Sequence, residues 1–138
     1  MSDEIRWHYR FKNFSRAFSL LREALEEEGQ ALNQLEREGV IQRFEYTFEL
    51  AWNLLKDRLE HDGIVLPTVT PRQVIRQAFQ AKLIKDGDTW LAMLTDRNLM
   101  SHTYDFAKFD AVIDRIQHRY LAILGELYER LSLEAMEQ

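Results

Sequence analysis

Three stretches of the chain carry apolar residues at steps of three and four, and this spacing limits the possible folds more than any other feature. Trp7, Phe11, Phe14, Phe18, Leu21 and Leu25 make up the first series. Ile41, Phe44, Phe48, Trp52, Leu55 and Leu59 make up the second, and Phe109, Ile113, Ile116, Tyr120, Ile123 and Leu127 the third. Each series lines one face of an amphipathic helix; a half-buried strand would alternate at every second residue instead. Five glycines and two prolines are too few for an all-β chain with many turns. Gly29, Gly39, Gly63 and Gly87 fall between charged and apolar runs, where helices are expected to stop or start, and only Gly125 interrupts a helical pattern. Two shorter helices are expected over roughly 71–82 and 87–99. Thr70, Pro71 and Gln73 read as the N-cap, first position and third position of a capping box, and Asp86 and Asp105 as further N-caps. With no repeat or linker in view, residues 1–138 are expected to form a single all-α helical-bundle domain.

One helix is apolar on two sides. Tyr46, Leu50 and Leu54 lie roughly opposite the Phe44/Phe48 stripe. Such a helix is sandwiched, either between elements of its own chain or against a second subunit.

Composition then removes several function classes. A chain of 138 residues can bury a core without disulfides or a structural metal. It has no cysteine, which excludes thiolate zinc sites and cysteine nucleophiles. A net charge of −5 argues against a protein that coats nucleic acid indiscriminately. No apolar run is long enough for a membrane span and the first ten residues are charged, so a cytoplasmic location is expected. None of His8, His61, His102 and His118 has a Glu three residues before it, so the di-metal motif of helical bundles is missing and no metal or cofactor is expected.

The densest polar run is Asp96-Arg97-Asn98-Leu99-Met100-Ser101-His102-Thr103-Tyr104-Asp105, where the fourth helical pattern ends. Arg97 presents a planar fork of donors suited to phosphate. His102 can move a proton near neutral pH. Together they are a workable pair for metal-free cleavage of a phosphodiester, provided the helix ends between them or two chains contribute. The plainer alternative has Arg97 bridging Asp96 or another helix, with His102 and Asp105 capping helix ends. Glu45 and Glu49 share a helix face and could serve acid–base work, a metal or substrate binding, or be ordinary salt-bridge partners. Between residues 67 and 85 lie Arg72, Arg76, Lys82 and Lys85 with no acid, a face that could gather RNA phosphates or simply be solvated.

Arg97-x4-His102-x-Tyr104 resembles the R-x4-H-x-Y motif of HEPN-domain proteins, which include the HepT toxins of HepT/MntA toxin–antitoxin modules. Residues 41–59 (IQRFEYTFELAWNLLKDRL), 71–86 (PRQVIRQAFQAKLIKD) and 90–105 (WLAMLTDRNLMSHTYD) resemble the nucleotidyltransferase substrate-binding protein family more closely still. The resemblance implies an up-and-down four-helix bundle with an additional short helix, a homodimer, and a small cognate nucleotidyltransferase as partner. In the HEPN reading, Arg97 and His102 from two subunits form a composite ribonuclease site with Asn98 as polar helper. Tyr104 is then the hydroxyl that the partner modifies with AMP. In the substrate-binding reading, the chain is the non-catalytic helical half of a two-component nucleotidyltransferase.

Overall fold

The computed structural model describes residues 3–26, 31–102 and 105–136, with residues 3–5 as backbone. The described residues form helices α1 (Asp3–Glu26), α2 (Gln34–His61), α3 (Pro71–Gln80), α4 (Gly87–Met100), α5 (Phe106–Arg115) and α6 (Leu121–Met136), with a π-helical turn over Ile116–Tyr120. Arg115, Ile116 and Leu121 all keep right-handed helical dihedrals, so α5, the π turn and α6 run on as one rod. The arrangement is an all-α bundle of four long elements, α1, α2, α4 and α5–α6, with α3 as the additional short helix.

Local signals set the helix ends. Asn33 opens α2 with a reciprocal capping box: its side chain accepts from Glu36 N–H at 2.8 Å, and the Glu36 carboxylate accepts from Asn33 N–H at 2.9 Å. Thr70 accepts from Gln73 N–H, Asp86 from Thr89 N–H and Asp105 from Ala107 N–H, as expected of the three N-caps. Gly63, at φ +82°, ends α2 in a Schellman motif: Gly63 N–H bonds Glu60 O and Ile64 N–H bonds Leu59 O. The same motif ends α3 with Lys82 in the glycine position, at φ +62°. There Lys82 N–H bonds Phe79 O and Leu83 N–H bonds Ala78 O. Gly39 does not break a helix; it lies inside α2, in open space, because neighbours on both sides supply the apolar pattern that carries the helix through. Gly29 lies outside the described residues.

The three apolar stripes form the core. Trp7, Phe14, Leu21, Phe44, Phe48, Leu55, Leu59, Ile116 and Tyr120 are fully buried. Phe44 stacks on Tyr120 at 5.6 Å between ring centroids, and Phe48 packs against Trp90 at 6.3 Å. Each such side chain contributes roughly 1.5–3 kcal/mol by leaving water. The third stripe departs from its spacing at one position: beyond Tyr120, Leu124, Leu127 and Leu131 are buried, and Ile123 only partly.

α2 is the central element and touches α1, α3, α4 and α5. This accounts for its two apolar sides within one chain as far as Leu54, which is fully buried. Tyr46, by contrast, points outward and is 61 % exposed.

Candidate functional site

The motif around Arg97 sits where α4 stops. Met100 is the last helical residue, Ser101 N–H closes onto Arg97 O at 3.1 Å, and His102 N–H bonds Leu99 O at 3.2 Å. On an uninterrupted helix, side chains five apart would point about 140° apart. The break at Met100 falls between Arg97 and His102, one of the two arrangements, the other being two contributing chains, that could let the pair serve one substrate.

Asp96 anchors this helix end. Its buried carboxylate accepts Arg115 Nε–H and Nη2–H, both at 2.8 Å, and the Tyr120 hydroxyl. Arg115 and Tyr120 are also five residues apart, and a regular helix would send them in different directions. The π turn, with its i to i+5 bond from Leu121 N–H to Ile116 O, brings them to one carboxylate. The Asp96 carboxylate beside it raises the Arg115 guanidinium further. Burial, and then the hydrogen bond to Asp96, push the Tyr120 phenol up to about 12.

Arg97 does not bridge Asp96, which pairs with Arg115 and Tyr120. It reaches across to α2 instead, where its Nη2–H donates to Glu49 Oε2. Trp52 Nε1–H donates to the same oxygen at 3.0 Å, and Arg97 Nη1–H donates to Asn98 Oδ1 at 2.9 Å. The guanidinium carbon stands 6.0 Å from the Phe48 ring centroid. Ser101 Oγ lies 2.9 Å from Glu45 Oε2 and 3.0 Å from Arg97 O, and its one proton serves either acceptor. Arg97, Ser101, Glu45 and Glu49 line an open groove of about 700 Å³, together with Glu38, Gln42 and Tyr46 of α2 and Phe109 of α5.

The fold thus gathers Arg97, Asn98, Glu45 and Glu49, four of the residues singled out from the sequence. His102 is exposed just past the end of α4 and does not line the groove. Tyr104 lies outside the described residues. Arg72 and Arg76 are exposed on α3. Arg76 lines a different groove, of about 430 Å³, with Phe79, Lys85 and Asp86 at the start of α4, the end away from Arg97. Tyr120 and Trp52 enter as new members. Both sit in apolar stripes, and nothing in their spacing distinguishes a ring that also carries a polar bond. Asp114 and His118 form an exposed pair at 3.1 Å, as their i, i+4 spacing suggests.

Comparison with known proteins places this geometry in a family. Residues 9–133 match the family described as "Nucleotidyltransferase substrate binding protein like". A Haemophilus influenzae protein named "Probable ribonuclease HepT" is 36% identical over 81 residues, an alignment that spans 56% of this chain and 56% of that protein. This chain therefore aligns with only about half the length of that relative. A crystal structure of a protein from Thermus thermophilus superposes with a TM-score of 0.74 at 33% identity, covering 86% of this chain and 98% of that one. With nearly the whole helical core inside the match, the chain belongs to the nucleotidyltransferase substrate-binding protein family.

Proposed function

We propose that this protein is a HepT-like HEPN toxin: a single-domain, cytoplasmic, metal-independent endoribonuclease that acts as a homodimer. In this reading the His102 imidazole moves a proton at the scissile phosphodiester, and the Arg97 guanidinium stabilises charge developing on the phosphoryl oxygens. Asn98 supports Arg97, and the exposed Arg72 and Arg76 offer secondary phosphate contacts. A cognate small nucleotidyltransferase silences the toxin by adenylylating Tyr104. The observation that carries the reading is the end of α4 at Met100, between Arg97 and His102. The likeness to a relative named as a ribonuclease supports it.

The test is cleavage of RNA by the purified protein at neutral pH in EDTA. Wild type should cleave, and R97A and H102A should each lose about 100-fold or more. No cleavage by wild type, or equal cleavage by all three proteins, sinks the reading. Co-expression with the nucleotidyltransferase should add the mass of an adenylyl group, and a Y104F protein that gains the same mass would contradict the Tyr104 assignment.

A second reading has its own support. Glu38, Glu45 and Glu49 face one arginine across the groove, a balance that repels RNA phosphates. In that reading the chain is the non-catalytic substrate-binding subunit of a two-component nucleotidyltransferase, and Glu45 and Glu49 contact the acceptor. Its signature is transfer activity that needs both proteins and survives H102A.

A further inference from the structure

The guanidinium of Arg97 is held by residues outside its own motif. Glu49, on the facing helix α2, accepts one of its N–H groups. Asn98 accepts a second, and the Phe48 ring lies against its face. Glu49 is itself fixed, because Trp52 donates to the oxygen that Arg97 uses. Among the described residues two of the five guanidinium N–H groups are engaged, and the others can meet an anionic oxygen in the groove. A long arginine side chain samples many rotamers when unheld, and a donor meeting developing negative charge works best when already in place.

We propose that Glu49 is the positioning residue of Arg97: its carboxylate, locked by the Trp52 indole, holds the guanidinium against Phe48 with its remaining donors toward the groove. This role rests on Arg97 being the phosphate-contacting residue of the ribonuclease reading. It differs from a substrate contact, because a carboxylate that touched RNA phosphate would repel it. It also differs from a packing role. The Glu49 side chain is 45% exposed, so its truncation opens no cavity in the core.

The experiment measures cleavage of a labelled single-stranded RNA in EDTA across substrate concentrations for wild type, E49Q, E49A and W52F. The arginine side-chain ¹⁵N spectrum of each protein is recorded alongside. E49A should lower kcat by about tenfold or more while leaving KM within about twofold. E49Q keeps an acceptor oxygen and should recover most of the rate; W52F should fall between. The Arg97 Nη signals, separate in wild type, should merge in E49A as the guanidinium turns freely. E49A cleaving as fast as wild type, or faster, overturns the proposal and makes Glu49 a competitor for the phosphate. A loss confined to KM overturns it in favour of a substrate contact. If wild type does not cleave at all, the ribonuclease reading fails by itself, and the spectra decide the hold: Arg97 signals unchanged in E49A would overturn it.

Discussion

Lys82 shows what a single residue costs this fold. It closes α3 with the left-handed conformation that Gly63 uses to close α2, and with the same pair of backbone hydrogen bonds. A side chain in that region costs roughly 1–2 kcal/mol, and the larger unfolded-state entropy of glycine returns about 0.4–1 kcal/mol of any gain. Lys82→Gly should therefore stabilise the protein by about 0.5–1 kcal/mol, read as a higher urea midpoint at unchanged slope. The strain is tolerated because Arg130 reaches from α6 to donate to the carbonyls of Lys82 and Leu83, which clamps the turn. The converse change, Gly63→Ala, should cost about 1 kcal/mol by the same measurement.

Among the elements, the rod formed by α5, the π turn and α6 does the most to place the site. Its π turn is an irregularity that would be unfavourable in isolation, and the Asp96 carboxylate shared by Arg115 and Tyr120 offsets it. Tyr120→Phe keeps the ring that stacks on Phe44 and removes only the hydroxyl, so it should cost about 1.5–3 kcal/mol, the usual worth of a hydrogen bond to a charged group. A pH signature accompanies it. The folded phenol titrates at about 12, above its ordinary value of 10.0. Between those values the unfolded chain has lost the proton that the folded chain keeps. Stability is therefore fully present below the ordinary phenol value of about 10 and falls as pH rises toward about 12, by a loss on the order of 2 kcal/mol. Denaturation curves recorded across that window should slope downward for wild type and lie flatter for Tyr120→Phe. Parallel curves would mean that the phenol is not held by Asp96.

For the whole molecule, the question is whether one chain makes a complete site. His102 stands outside the groove that holds Arg97, and Tyr46 leaves a large aromatic surface in water beside it. In the homodimer reading, the second copy covers this face and completes the pair. Specific ribonuclease activity should then fall on dilution, in step with the loss of a species of twice the 16.5 kDa chain mass in sedimentation. Specific activity that stays constant while only monomer is present would contradict a two-chain site. No helix among the described residues is long and apolar enough to cross a membrane.

Much of this was legible in the residues because helices are written in short-range spacing. The first two stripes, the third as far as Tyr120, the caps at Thr70, Asp86 and Asp105, and the stop at Gly63 all depend on neighbours within about four positions, and each lies where its spacing put it. The family motif, too, is contiguous, so Arg97 and Asn98 could be picked out before any fold was known. Tertiary structure alone decided which partners those residues take. Asp96 turned to Arg115 and Tyr120, and Arg97 turned to Glu49 rather than to Asp96, because carboxylates and guanidinium groups pair with whatever charge the packing brings within reach. The π turn was invisible for the same reason: its register follows from a bond between α4 and the last rod, and no local propensity encodes it. The sequence by itself determined the helices, their ends and the motif; only the packing of α2, α4 and the last rod decided how the charged groups of that motif are held.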